Sequence, residues 1–183
     1  YVLPTLIGEF LSLHPRLELS IIGANTEKII CALDEKRIAL GLVEGPVGRN
    51  DLKIERFIED EIVVIAAANH DWSMKRTKTI TIAQLAEAPL IMRERGSGTR
   101  RVVEDALRRA KLKLRDLHVV VELDSTEAIK SAVEANLGIG FVSRWGVMKE
   151  IKLGSLVIIG IENLHIKRHF QFIYPHRPRL AGA

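Results

Sequence analysis

The stretch Leu90-Ile91-Met92-Arg93-Glu94-Arg95-Gly96-Ser97-Gly98-Thr99-Arg100 passes from a short apolar run, through a loop with two glycines, into a helical pattern. Leu90 to Met92, preceded by Pro89, read as a strand and Arg93 to Gly98 as a loop. Thr99 to Ala110 then places Val102, Val103, Ala106, Leu107 and Ala110 on one helical face. A strand followed by a covering helix is the unit of a parallel sheet, because a parallel connection needs a long crossover.

The unit recurs on both sides. Downstream, His118 to Leu123 reads as a strand, Ser125 caps a helix that ends near Gly138, and Ile139 to Val142 is the next strand. A short helix over Arg144 to Glu150 precedes strands at Leu156 to Ile161 and Arg168 to Tyr174. Upstream, Thr81 and Gln84 have capping-box spacing for a helix through Leu85. Nearer the start, Leu3, Leu6, Ile7, Phe10 and Leu11 form an amphipathic stripe closed by His14-Pro15. Leu17, Leu19 and Ile21 alternate as a strand, and Asn25 or Thr26 caps a helix that buries Ile29, Ile30 and Leu33. Ile38 to Val43 is a short strand ended by Glu44-Gly45-Pro46, and Leu52, Ile54 and Phe57 lead to a strand at Ile62 to Ala68. The polar stretch Asn69 to Lys78 reads as a crossover into a second lobe. The expected architecture is α/β with mostly parallel sheets in two lobes, residues 1–68 with 169–183 and residues 69–168.

Composition narrows the function. A chain of 183 residues, 47% hydrophobic, supports an ordinary packed core and contains no apolar run long enough to span a bilayer. The single cysteine, Cys31, excludes an internal disulfide and a thiol cluster; it reads as a small apolar filler in its helix and favours a reducing compartment. The net charge of +4 is a small excess spread among 23 acidic residues. The locally basic runs Lys75 to Lys78, Arg108 to Arg115 and Arg177 to Arg179 lack interleaved aromatics, and they read as loops or solvated helix ends rather than a nucleic-acid surface.

In open α/β sheets ligands bind beyond the carboxyl ends of the strands, so the loops that open helices carry the chemistry. Gly96-Ser97-Gly98-Thr99 offers backbone freedom, outward amides and two hydroxyls, a cradle for an oxyanion. The same residues also serve as a plain turn with a helix cap, and both readings stand on the residues alone. Asp124-Ser125-Thr126-Glu127 and Asn25-Thr26-Glu27 occupy equivalent positions, with the same two readings, and the helix starts are expected to converge across a cleft. No Walker A ending, third dinucleotide-loop glycine or Gly-x-Ser-x-Gly elbow accompanies the loop, and no nucleophile and base can be paired, so no catalytic residue and no cofactor is expected. The six histidines show no ligand spacing, and Glu59-Asp60-Glu61 lacks a calcium loop and reads as a solvated bend, so no metal is expected either.

A series of ordered segments then becomes informative: Tyr1-Val2-Leu3-Pro4 before a helix, Phe10 to Pro15, Ile38 to Pro46, Asn69-His70-Asp71-Trp72, Leu85 to Met92, Arg95 to Arg100, and Gly138-Ile139-Gly140-Phe141-Val142-Ser143. Together, over nearly the whole chain, they resemble the effector domains of LysR-type transcription regulators. The resemblance implies a periplasmic-binding-protein type II fold, with two lobes, crossovers near Asn69 and Arg168, and an inducer in the cleft. By position, Asn25, Thr26, Gly45, Pro46, Gly96, Ser97, Gly98, Thr99, Ser125 and Thr126 would bind the effector. The resemblance further implies a cytoplasmic homodimer or homotetramer with no membrane association, pairing through the helices Leu3 to Leu13 and Thr126 to Ala135. DNA would be contacted only through an N-terminal winged helix-turn-helix not contained in this sequence.

The Gly-Ser-Gly-Thr-Arg loop is similar to that of members concerned with sulfur assimilation, which points to an oxyanion or organic carboxylate as effector. The family's first strand would lie just before Tyr1 and its last helix after Ala183, so the sequence is expected to be a fragment, less stable than one extended upstream. The alternatives are a solute-binding protein of an anion transporter and an enzyme on the same scaffold, the second without assignable catalytic groups.

Overall fold

A computed structural model describes residues 3–75 and 78–176. Tyr1 and Val2 of the opening motif, Arg76 and Thr77 of one basic run, and the run Arg177 to Arg179 lie outside the described residues. In chain order the elements are α1 (Leu3–Leu13), α2 (Thr26–Asp34), β1 (Gly41–Val43), β2 (Leu52–Ala67), β3 (Thr79–Ile80), α3 (Ile82–Glu87), β4 (Leu90–Arg93), α4 (Gly98–Arg109), β5 (Val119–Leu123), α5 (Thr126–Glu134), β6 (Ile139–Ser143), α6 (Arg144–Leu153), β7 (Leu156–Ile161) and β8 (Ile166–Pro175).

The strands form an eight-stranded sheet ordered β1-β8-β2-β6-β4-β5, with β7 joined to β2 and β3. The β4–β5, β4–β6 and β3–β7 pairs are parallel, as the strand-helix repeat predicts. The pairs of β8 with β1, and of β2 with β6, β7 and β8, are antiparallel, so the sheet is mixed rather than mostly parallel. The cause is β2. The strand expected at Ile62 to Ala68 and the Leu52 to Phe57 stretch leading to it are one strand of 16 residues, whose first part pairs with β8 and whose last part lies between β6 and β7. Side-chain alternation along it divides the core. Ile62, Val64 and Ala66 face α3 and α4 with Leu90, Met92 and Phe141, whereas Val63 and Ile65 face α5 and α6 with Ile91, Ile129, Val142 and Val147. A smaller cluster of Ile29, Leu33, Val43, Leu52 and Ile173 holds α2 against β1 and β8.

Helix starts follow the sequence closely because capping is local. Thr81 Oγ1 accepts from the Gln84 amide at 3.2 Å and Gln84 Oε1 accepts from the Thr81 amide at 2.9 Å, a complete capping box. Thr81→Ala is therefore expected to destabilise the fold by about 1 kcal/mol, read as a lowered urea midpoint at unchanged slope.

Three expectations are corrected. Leu17, Leu19 and Ile21 alternate as a strand but form no ladder and are exposed. The Leu17 amide donates to the His14 carbonyl at 3.0 Å rather than to a neighbouring strand, and alternation alone does not make a strand. Cys31 is exposed, not a core filler: α2 turns Ile29, Ala32 and Leu33 inward, and Cys31 lies between them on the opposite face. Glu59-Asp60-Glu61 is not a solvated bend but part of β2, where alternation turns Asp60 inward. Its carboxylate accepts from Arg168 Nε at 2.7 Å and from Ser143 Oγ at 2.8 Å.

Candidate functional site

The starts of α2, α4 and α5 open onto one cleft of about 510 Å³. Each start is capped by a side chain the sequence singles out. Asn25 Oδ1 accepts from the Lys28 amide at 3.0 Å, Ser97 Oγ from the Arg100 amide at 3.4 Å, and Ser125 Oγ from the Ala128 amide at 3.1 Å. Capping and ligand binding are compatible here: a serine hydroxyl that accepts an amide proton still has its own proton to donate. The first-turn amides have no partner within their helices, and the helix dipoles add partial positive charge where the three starts meet.

Of the residues singled out in the sequence, Asn25, Thr26, Ser97, Gly98, Ser125 and Thr126 line this cleft. Pro46 and Gly96 instead line an adjoining cavity of about 230 Å³, which Thr26 and Gly98 share. Gly45 lies against the backbone of Gly98, and a Cβ added to Gly45 would come within 2.5 Å of the Gly98 Cα. Gly96 has a φ of +85° and carries the chain over Glu27, whose amide donates to the Gly96 carbonyl at 3.4 Å. Thr99 is buried beneath the cleft. Its hydroxyl donates to Glu44 Oε2 at 2.8 Å and accepts from Arg168 Nη1 at 2.7 Å.

Charged groups that the sequence does not single out as effector contacts complete the lining: Lys28 and Arg93 as cations, with Glu44, Glu94, Asp124 and Glu127 as carboxylates. Most of these carboxylates already have cationic partners. Glu44 takes Arg168 Nη1 at 3.1 Å, Glu94 takes Arg93 Nε at 2.8 Å, and Glu127 takes Lys130 Nζ at 2.9 Å. Burial works to raise the pKa of Glu94, but the hydrogen bonds from Arg93 and Asn25 outweigh it and hold the carboxyl below its ordinary value. Arg93 is fixed further by bonds from Nη2 to the Asp124 carbonyl at 3.1 Å and from Nη1 to Thr126 Oγ1 at 3.5 Å. Its placement at the carboxyl end of β4 was the available sequence signal, because that is where open α/β sheets bind ligands. The cleft thus offers amides, hydroxyls and a guanidinium to an anionic group, and carboxylate oxygens to any donor the same molecule carries.

Among the described residues no group of histidine, cysteine, aspartate and glutamate is placed to hold a metal ion, and no helix is long and apolar enough to cross a membrane.

A family model described as the LysR substrate binding domain matches residues 1–183. The chain is 34% identical over 181 residues to the HTH-type transcriptional activator CmpR of Synechocystis sp., covering 99% of this chain and 58% of CmpR. It is 30% identical over 183 residues to the HTH-type transcriptional regulator CysL of Bacillus subtilis, covering 100% of this chain and 59% of CysL. The chain thus spans somewhat over half the length of these two relatives. The solved regulatory domain of Synechocystis PCC6803 CcmR in complex with 2-PG is 32% identical to it, with a TM-score of 0.86 over 99% of this chain and 85% of that domain.

Proposed function

The chain belongs to the LysR substrate-binding-domain family, and from that premise we propose that it senses a small anionic effector in the cleft between α2, α4 and α5 and passes the binding state to a DNA-binding part outside this chain. The observation that carries the proposal is the meeting of three capped helix starts, with Arg93, on one cleft. The relatives are transcription regulators, which sets aside both the transporter solute-binding reading and the enzyme reading.

In this proposal residues 1–68 with 169–183 and residues 69–168 are the two lobes. Six residues, Asn25, Thr26, Ser97, Gly98, Ser125 and Thr126, contact the effector. Gly45, Pro46, Gly96 and Thr99 shape the seam beneath it. The regulator works in the cytoplasm as a homodimer or homotetramer, with α1 and α5 as pairing faces; Leu6, Phe10 and Leu13 are exposed along α1. An effector can change the regulator's state only through different affinities for two arrangements, and a cleft between lobes supplies two.

Two effector classes fit the donors: an organic phosphate or carboxylate such as the 2-PG of the CcmR domain, and a sulfur oxyanion, which the Gly96-Ser97-Gly98-Thr99-Arg100 loop favours. Calorimetric titration of the intact protein with 2-PG, sulfate, thiosulfate and acetylserine tests the choice. One of them is expected to bind, and Ser125→Ala is expected to weaken that binding by roughly fivefold, the worth of one hydrogen bond. Failure of all four to bind would count against the anionic effector.

A further inference from the structure

Glu94 holds the geometry of a bound ligand's acid group. Its Oε2 accepts from Arg93 Nε at 2.8 Å, and its Oε1 accepts from Arg93 Nη2 at 3.2 Å and from Asn25 Nδ2 at 3.0 Å. A two-pronged guanidinium grip on a carboxylate, completed by an amide N–H, is how proteins seize the acid group of a small molecule. Adjacent strand residues point to opposite faces, so this pairing of neighbours needs a break in the strand. β4 ends at Arg93, and the Glu94 amide still donates to the Leu123 carbonyl at 2.9 Å while the side chain folds back. The pair is largely out of water, with side-chain exposures of 11% for Arg93 and 22% for Glu94.

The clasp also ties two bodies of the fold. Asn25 is the cap of α2, which rests on the small cluster around Ile29 and Ile173, whereas Glu94 follows β4 in the large core. The guanidinium is also held by bonds to the Asp124 carbonyl and to Thr126 Oγ1, both at the start of α5, neither of which involves Glu94.

We infer that Glu94 is an internal counter-anion that occupies the seat of the effector's acid group, and that the effector binds by exchange, displacing the Glu94 carboxylate from Arg93 and Asn25. The inference rests on the anionic-effector reading and deepens it by naming the group the effector must displace. Exchange would make the cleft selective among anions. A lone acetate or chloride gains at Arg93 no more than Glu94 gives up, whereas a molecule that also reaches the starts of α4 and α5 gains more. Displacement breaks the tie between α2 and β4, so the empty and filled clefts differ in what holds them closed.

The test uses Glu94→Gln, which keeps size and shape but loses the charge, and Glu94→Ala. The intact protein and both variants are titrated with 2-PG and with inorganic phosphate. In parallel, spin labels at the exposed positions Glu35 and Arg109, in a Cys31→Ser background, report the ligand-free distance from α2 to α4. Both variants are expected to bind 2-PG roughly tenfold more tightly, the exchange no longer opposing it, and to show a wider or broader ligand-free distance. Damage to the fold, or loss of an orienting partner for Arg93, weakens binding, whereas mere relief of charge repulsion tightens it without altering the ligand-free distance, so tighter binding together with a changed distance marks the loss of a clasping competitor. Affinity unchanged or reduced in Glu94→Gln overturns the inference. If neither the natural protein nor the variants bind either anion, and sulfate, thiosulfate and acetylserine fail as well, the anionic-effector reading fails, and the ligand-free distance decides the clasp separately: an unchanged distance overturns it.

Discussion

Gly98→Ala is expected to reduce effector binding by roughly 25-fold, the worth of two hydrogen bonds, while leaving α4 intact. A Cβ at residue 98 would lie 2.5 Å from Thr26 Oγ1, 2.6 Å from the Gly45 nitrogen and 2.9 Å from the Gly45 Cα. Thr26 can turn its hydroxyl aside, but the Gly45 backbone cannot move without shifting the loop after β1, and residue 45 faces the same limit in reverse. The two glycines therefore set how closely the α2–β1 body approaches the start of α4.

An added methyl pushes that seam apart and draws Asn25 and Thr26 away from Ser97, so a ligand seated on all three helix starts loses some of them. The helix itself argues the other way. Gly98 is the first residue of α4, and alanine there favours the helix by up to about 1 kcal/mol. Loss of binding with an unchanged or raised melting temperature is the signature of a seam effect, and titration beside a circular-dichroism melt reads both. Retained binding would show that the ligand does not need the helix starts drawn together.

What was legible in the sequence was local. Asn25, Thr81 with Gln84, Ser97 and Ser125 cap their helices through partners three residues on, and that spacing is visible before any tertiary contact is known. Ile62 to Ala67 reads as buried because it is apolar without a break, and both its faces are covered. The direction of β2 was not legible, since its partners β6, β7 and β8 lie far along the chain and a strand carries no mark of its neighbour's orientation. Leu17 to Ile21 shows the reverse failure, a strand pattern with no ladder among the described residues. In the cleft, the hydroxyl and amide residues were found because they are also caps. Arg93, Glu94 and Glu44 were missed because their roles depend on contacts with Asn25, Thr126 and Arg168 that only the fold creates.

The same blindness hid the pair on which the second large effect rests. Asp60→Ala is expected to destabilise the fold by about 3–5 kcal/mol, the usual result of stripping one partner from a buried ion pair. The Asp60 side chain is 0% exposed and that of Arg168 3%, and they meet at 2.7 Å across a β2–β8 register 108 residues apart in sequence. With Asp60 gone, the guanidinium keeps Glu44, half-exposed, and the Thr99 hydroxyl, while its Nη2 is already buried without an acceptor among the described residues. An under-satisfied buried cation then loses its one fully buried counter-charge. Asp60→Asn retains one oxygen to accept from Arg168 and an amide that can donate to Ser143 Oγ, and should lose less than Asp60→Ala.

The decisive comparison is Asp60→Leu with Arg168→Met. If the loss comes from an uncompensated buried charge rather than from the pair's own strength, the double variant should recover most of the stability lost by Asp60→Leu alone, because apolar side chains of similar size replace buried pairs at little cost. It should not recover effector binding, since Arg168 also holds Glu44 and Thr99 beneath the cleft. Urea unfolding and titration of the same samples separate the two effects. Equal instability of the single and double variants would mean instead that the ion pair stabilises β2 against β8 through its own attraction.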